Sequence, residues 1–226
     1  MELIRRPAAY LLGLFVLVLL WGCAGHFLIS TKDAAELEYI GRIRIYVIAI
    51  TTLWLLFAYT AFALHYEGTS IRSVIDPLPL TARLLGTYAV IALGVFFAWG
   101  LISGVVGFFL RPDKAQIKNL MVFFPKEAIE KFLWILMSIS AAFCEEFVYR
   151  GYLQRSIQRL SGSIGLAVVV QALAYGFAHA ALPWKIMVTV TFLGILFGTV
   201  AAWRKSLVAG MMMHAAFDIL AVFARK

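Results

Sequence analysis

Phe132 to Arg150 reads FLWILMSISAAFCEEFVYR, an apolar run without a charge until Glu145 and Glu146, with Arg150 four positions after the second acid. A span across a bilayer needs about 20 mostly apolar residues. Carboxylates inside one are costly unless they face partner helices or a water-filled cavity. The stretch therefore predicts a membrane helix that carries chemistry.

The rest of the chain agrees. Of 226 residues, 63% are hydrophobic and 14% charged, with a mean hydropathy of +0.90, beyond what a soluble domain carries. Seven spans are expected, at Ala8–Ile29, Ile45–Leu64, Leu84–Leu110, Ile129–Tyr149, Ile164–Leu182, Ile186–Trp203 and Leu207–Phe223. Pro7, Pro77, Pro79, Pro112, Pro125 and Pro183 fall at or outside their ends, as helix breakers should. The prediction is an all-α, polytopic bundle of seven to eight transmembrane helices forming one membrane domain over 1–226. Arg5-Arg6 before the first span resembles a signal peptide, but the span is full length without a small-residue cleavage site, so it reads as retained.

The net charge of +8 fits basic loops meeting anionic headgroups, and no basic stripe suggests nucleic acid. Cys23 and Cys144 lie far apart in apolar sequence, so packed, reduced thiols are expected rather than a disulfide. Residues 111–131, with Lys114, Lys118, Lys126, Glu127, Glu130 and Lys131 around the apolar Leu120 to Phe124, suggest a short interfacial helix. With the N-terminus inside, Arg5, Arg72, Arg155 and Arg204 would be cytoplasmic, as the positive-inside rule prefers, while the lysines of 111–131 would not. The Gly100-x-x-Ser103-Gly104-x-x-Gly107 run reads as close helix packing.

Away from the loops, the ionisable residues are Glu145, Glu146, Arg150, His179, His214 and Asp218. Glu145 and His179 stand seventeen positions either side of Gly162, in the Ser161-Gly162-Ser163 turn. In an antiparallel pair they share a layer, about 25 Å of helix from the turn. Glu146 and Arg150 have the spacing and order of a helical ion pair, as His214 and Asp218 have of a shared face. Glu145 is left without such a partner, in surroundings that favour a general base. Any one of these residues alone would read as polar glue between helices; two acids, an arginine and two histidines in matched layers exceed what glue requires.

Glu145-Glu146-x-x-x-Arg150, Tyr175-x-x-x-His179 and His214-x-x-x-Asp218 resemble the three motifs of the CAAX protease and bacteriocin-processing (Abi) family of intramembrane endopeptidases, related to type II CAAX prenyl proteases. The resemblance covers Phe132 to Phe223, with Tyr175 where phenylalanine is usual and Asp218 where the family has asparagine or aspartate. It implies that Glu145 and His179 activate a water, His214 and Asp218 stabilise an oxyanion or orient substrate, and Glu146, Arg150 and Tyr175 support them. It divides the domain into divergent helices over 1–125 and catalytic helices over 126–226. It also implies a membrane-associated protein or peptide substrate, from prenylated CAAX tails to bacteriocin leaders, and a bacterial-type plasma membrane. No cofactor is expected; zinc on Glu145, His179 and His214 is the alternative, although the HExxH helix motif is absent. Neither the GxSG of rhomboid proteases nor a GxGD motif occurs. A proton-coupled transporter with Glu145, His179 and Asp218 as its relay, or a non-catalytic scaffold, are the competing classes.

Overall fold

The computed structural model describes residues 2–30, 32, 34–111 and 121–223, and among them every element is helical. Helix α1 (Glu2–Gly25) continues as a π-turn (His26–Ser30), followed by α2 (Ala34–Ile40), α3 (Arg42–Tyr66), α4 (Ile71–Ile75) and α5 (Ala82–Leu110). After a 3-10 turn (Met121–Phe123) come α6 (Ala128–Glu145), a π-helix (Glu146–Gln154) and α7 (Arg155–Ser161), which form one continuous helical rod. Helices α8 (Ile164–Ala178), α9 (Trp184–Arg204) and α10 (Val208–Phe223) complete the bundle. Five helices are long and apolar enough to cross a membrane, and α8 and α10 are shorter apolar helices. The protein is an integral, multi-pass membrane protein.

Local chemistry sets the boundaries. Thr81 caps α5 by accepting from the Leu84 amide, and Ser163 caps α8 by accepting from Leu166. Glu127 and Glu130 form a reciprocal capping box at the start of α6, which satisfies amides that would otherwise lack partners. The rod ends at Gly162, whose φ of 70° is a left-handed conformation that glycine adopts without steric cost.

Several expectations change. Pro7 falls inside α1, since the helix begins at Glu2. The expected span Ile164–Leu182 stops as a helix at Ala178. Cys144 is fully buried, but Cys23 is exposed rather than packed. Among the described residues, a Cβ placed on Gly100, Gly104 or Gly107 would meet nothing within 4 Å, so these glycines bring no described helix close. Close approach occurs instead at α1, where a Cβ on Gly22 would lie 2.6 Å from the Phe177 carbonyl oxygen and one on Gly25 would lie 3.2 Å from Ala181. Of the interfacial helix read over 111–131, residues 112–120 lie outside the described residues, and the described remainder holds a 3-10 turn (Met121–Phe123) and the start of α6 at Ala128.

Two ends of the bundle are tied separately. At one, Arg159 pairs with Glu67 at 2.6 Å, the Leu207 amide donates to the Ile75 carbonyl at 2.8 Å, and Ser206 donates to Asp76 at 2.7 Å. At the other, Arg42 donates to the Val122 carbonyl at 2.6 Å and pairs with Glu130 at 3.2 Å, while Tyr46 donates to the Phe123 carbonyl. Between these ends, α10 packs against α6 and α5, and α8 packs against α9, α1 and the π-helix.

Candidate active site

Glu145, Glu146, Arg150, His214 and Asp218 gather where the rod, α8 and α10 meet. The rod and α8 pair in the register read from the turn: Tyr149 and Tyr175, each thirteen positions from Gly162, have ring centroids 5.2 Å apart. The path of the rod differs from a plain α-helix, because Glu146–Gln154 is a π-helix. Its i→i+5 hydrogen bonds widen the backbone, and such segments gather at functional sites.

Glu146 and Arg150 remain paired at 3.1 Å, with side chains 1% and 0% exposed. The Arg150 guanidinium lies 4.3 Å over the Tyr175 ring and 5.2 Å from that of Phe197, so aromatic faces replace part of its lost hydration. The same Glu146 oxygen that meets Arg150 lies 3.4 Å from His214 Nδ1. A Cβ on Gly210 would stand 2.8 Å from the other Glu146 oxygen. Glycine at 210 thus lets α10 approach the buried carboxylate.

The other His214 nitrogen faces the more open side. Its Nε2 is 3.5 Å from Asp218 Oδ2 and 3.8 Å from Glu145 Oε2. These are ion-pair separations, longer than good hydrogen bonds. The His214 ring lies on Phe197, with centroids 5.6 Å apart and planes 29° apart. Exposure rises outward, from 1% at the Glu146 side chain through 15% at Glu145 to 31% at Asp218. Exposure along the polar cluster therefore falls from Asp218 towards Arg150.

His179 enters differently from the expected pairing with Glu145. It is the residue that ends α8, and its Nδ1 lies 2.8 Å from the Tyr175 carbonyl. A carbonyl only accepts, so Nδ1 donates to it. Among the described residues no ion pair joins His179 to Glu145. Tyr175 is the bridge, with its ring 4.7 Å from that of His179 and 6.5 Å from that of His214.

Several neighbours escaped the sequence reading. Gln171 donates to the Gly194 carbonyl at 2.8 Å and Gln154 to the Gly198 carbonyl at 3.0 Å, tying α8 and the π-helix to α9. An uncharged amide inside an apolar run was the available signal for Gln171. Phe197 and Gly210 carry none, since both are ordinary in a membrane helix.

Among the described residues, no group of three or more His, Cys, Asp or Glu side chains is spaced as a metal-ion site.

Comparison with known proteins bears on the same region. A model of the Rce1-like family, described as type II CAAX prenyl endopeptidase, matches residues 128–220. Those residues resemble that family. The Rce1-like stretch begins with α6, includes all three motifs, and bears out the resemblance read from them. No curated protein matches the chain, and no solved structure does.

Proposed function

We propose that the protein is an intramembrane endopeptidase that hydrolyses a peptide bond in a membrane-associated or lipid-modified protein, in a plasma membrane of bacterial type. The observation that carries this reading is the convergence of Glu145 and Asp218 on one nitrogen of His214, at the accessible end of an otherwise buried polar cluster.

Acyl transfer to water needs a base, a positioned water and a donor for the oxyanion. In the proposed step, Glu145 takes a proton from a water oriented by His179 Nε2. The water oxygen attacks the peptide carbonyl, and His214, oriented by Asp218, donates to the oxyanion. Collapse of the tetrahedral intermediate breaks the C–N bond, and the proton held by Glu145 passes to the leaving amine. Glu146 and Arg150 stay outside the reaction; they hold the other side of the His214 ring, with Tyr175 beneath the guanidinium. No step is assigned to a metal ion.

The Rce1-like match directs the first substrate test. A synthetic peptide ending in a farnesylated cysteine, two aliphatic residues and a terminal residue is incubated with the purified protein in proteoliposomes. Mass spectrometry is expected to show loss of the last three residues with the wild type and none with Glu145→Gln. Equal loss with both proteins would refute the role of Glu145. An intact peptide in both would remove the prenylated tail from the proposal.

A further inference from the structure

The motif residues do not explain what holds Asp218 in place. Its carboxylate is the most exposed of the cluster and, among the described residues, pairs with His214 Nε2. Its backbone, however, is held from outside α10. The Trp134 indole N–H donates to the Asp218 carbonyl oxygen at 2.9 Å. Trp134 lies on α6, three turns before Glu145, so this bond joins the carboxylate-bearing helix to the helix bearing His214 and Asp218 on the more exposed side of the cluster. The rod and α10 also meet deeper in the bundle, where Gly210 abuts Glu146. Two fixed points along one helix pair define their separation at Glu145, which lies between them.

Trp134 is itself wedged. Its ring stacks on Phe124 at 4.9 Å and 29°, and takes the edge of Tyr46 at 5.7 Å and 84°. Tyr46 donates to the Phe123 carbonyl and Arg42 to that of Val122. Arg42 also pairs with Glu130, one turn before Trp134 on α6. The indole is therefore clamped between α3 and the segment ahead of α6, and its N–H is aimed at α10.

We propose that Trp134 is a positioning residue: by holding the Asp218 carbonyl it keeps the Asp218 carboxylate on His214. The inference rests on the reading of His214 and Asp218 as site residues, but its test needs no substrate. Full-length protein labelled with 15N-histidine is studied by NMR as the wild type, as Trp134→Phe, and with 3-benzothienylalanine at position 134, which keeps the indole shape without its N–H. Both replacements are expected to shift the ring 15N resonances of His214 more than those of His26, His65 or His179, with the fold intact. In an Asp218→Asn background, the same replacements are expected to produce no further shift, because the effect passes through that carboxylate. Unchanged His214 resonances in the benzothienylalanine protein would overturn the proposal. So would unfolding of that protein, which would make Trp134 a residue of stability alone, or an equal shift in the Asp218→Asn background.

Discussion

Two adjacent glutamates are separated into different tasks by where their side chains end. Glu146 is fully buried against Arg150 and His214, while Glu145 retains access to the open side. Substitution should separate these tasks. Glu145→Gln and His179→Ala are expected to lower cleavage by about 10²–10⁴-fold, the usual contribution of a general base or its partner, while leaving thermal unfolding in detergent near that of the wild type. Wild-type rates for either variant would contradict the assignment. Arg150→Met removes one member of a buried ion pair and should destabilise by about 3–5 kcal/mol, because Glu146 is left uncompensated. Its thermal midpoint should therefore fall well below that of Glu145→Gln. These residues were legible because ionised groups in apolar sequence demand an explanation. Gly210 was not, because what makes it necessary is the Glu146 carboxylate of another helix.

Elements add what spacing alone could not. Counting from Gly162 placed the rod and α8 in the correct register, as the Tyr149–Tyr175 contact shows. The same count assumed an unbroken α-helix through Arg150, where the backbone is a π-helix. Hydropathy does not record that change, since it depends on which carbonyl each amide selects. The end of α8 at Ala178 was equally hidden, because apolar residues continue through Leu182. Helix α1 supports this end through Gly22 and Gly25. Gly22→Ala would drive a methyl group into the Phe177 carbonyl, two residues before His179, and should cost about 1–3 kcal/mol, as overpacking commonly does. Reduced thermal stability together with reduced cleavage is expected. Unchanged values for both would mean that α1 does not hold the turn.

Across the whole molecule, the five long helices and two shorter ones pass back and forth so that 67–81, 162–163 and 205–207 gather at one end, and 121–127 and 179–183 at the other. Single cysteines at Arg72 and Lys126, in a protein lacking Cys23 and Cys144, should thus react with an impermeant reagent from opposite sides of sealed vesicles. Labelling from one side would break this topology. At the first end, Asp76 is buried yet accepts from Tyr88, Ser206 and the Leu78 amide. Burial pushes its carboxyl up, but these hydrogen bonds and nearby Arg204 outweigh it and hold the group below its ordinary 3.8. A depressed carboxyl stabilises the fold above its unfolded value and loses that contribution as pH falls through the folded one. The thermal-midpoint gap between wild type and Asp76→Asn should be full near neutrality and shrink only below about pH 4. A gap independent of pH would contradict this role.

The measurement that bears most directly on the proposed activity compares protein termini, quantitatively, in membranes of cells carrying the wild type or Glu145→Gln at equal abundance. New termini found only with the wild type, and reproduced when the purified protein meets the purified substrate, are the predicted result. Identical termini in both membranes, with the protein expressed and folded, would contradict proteolysis by Glu145 and favour a transporter or scaffold.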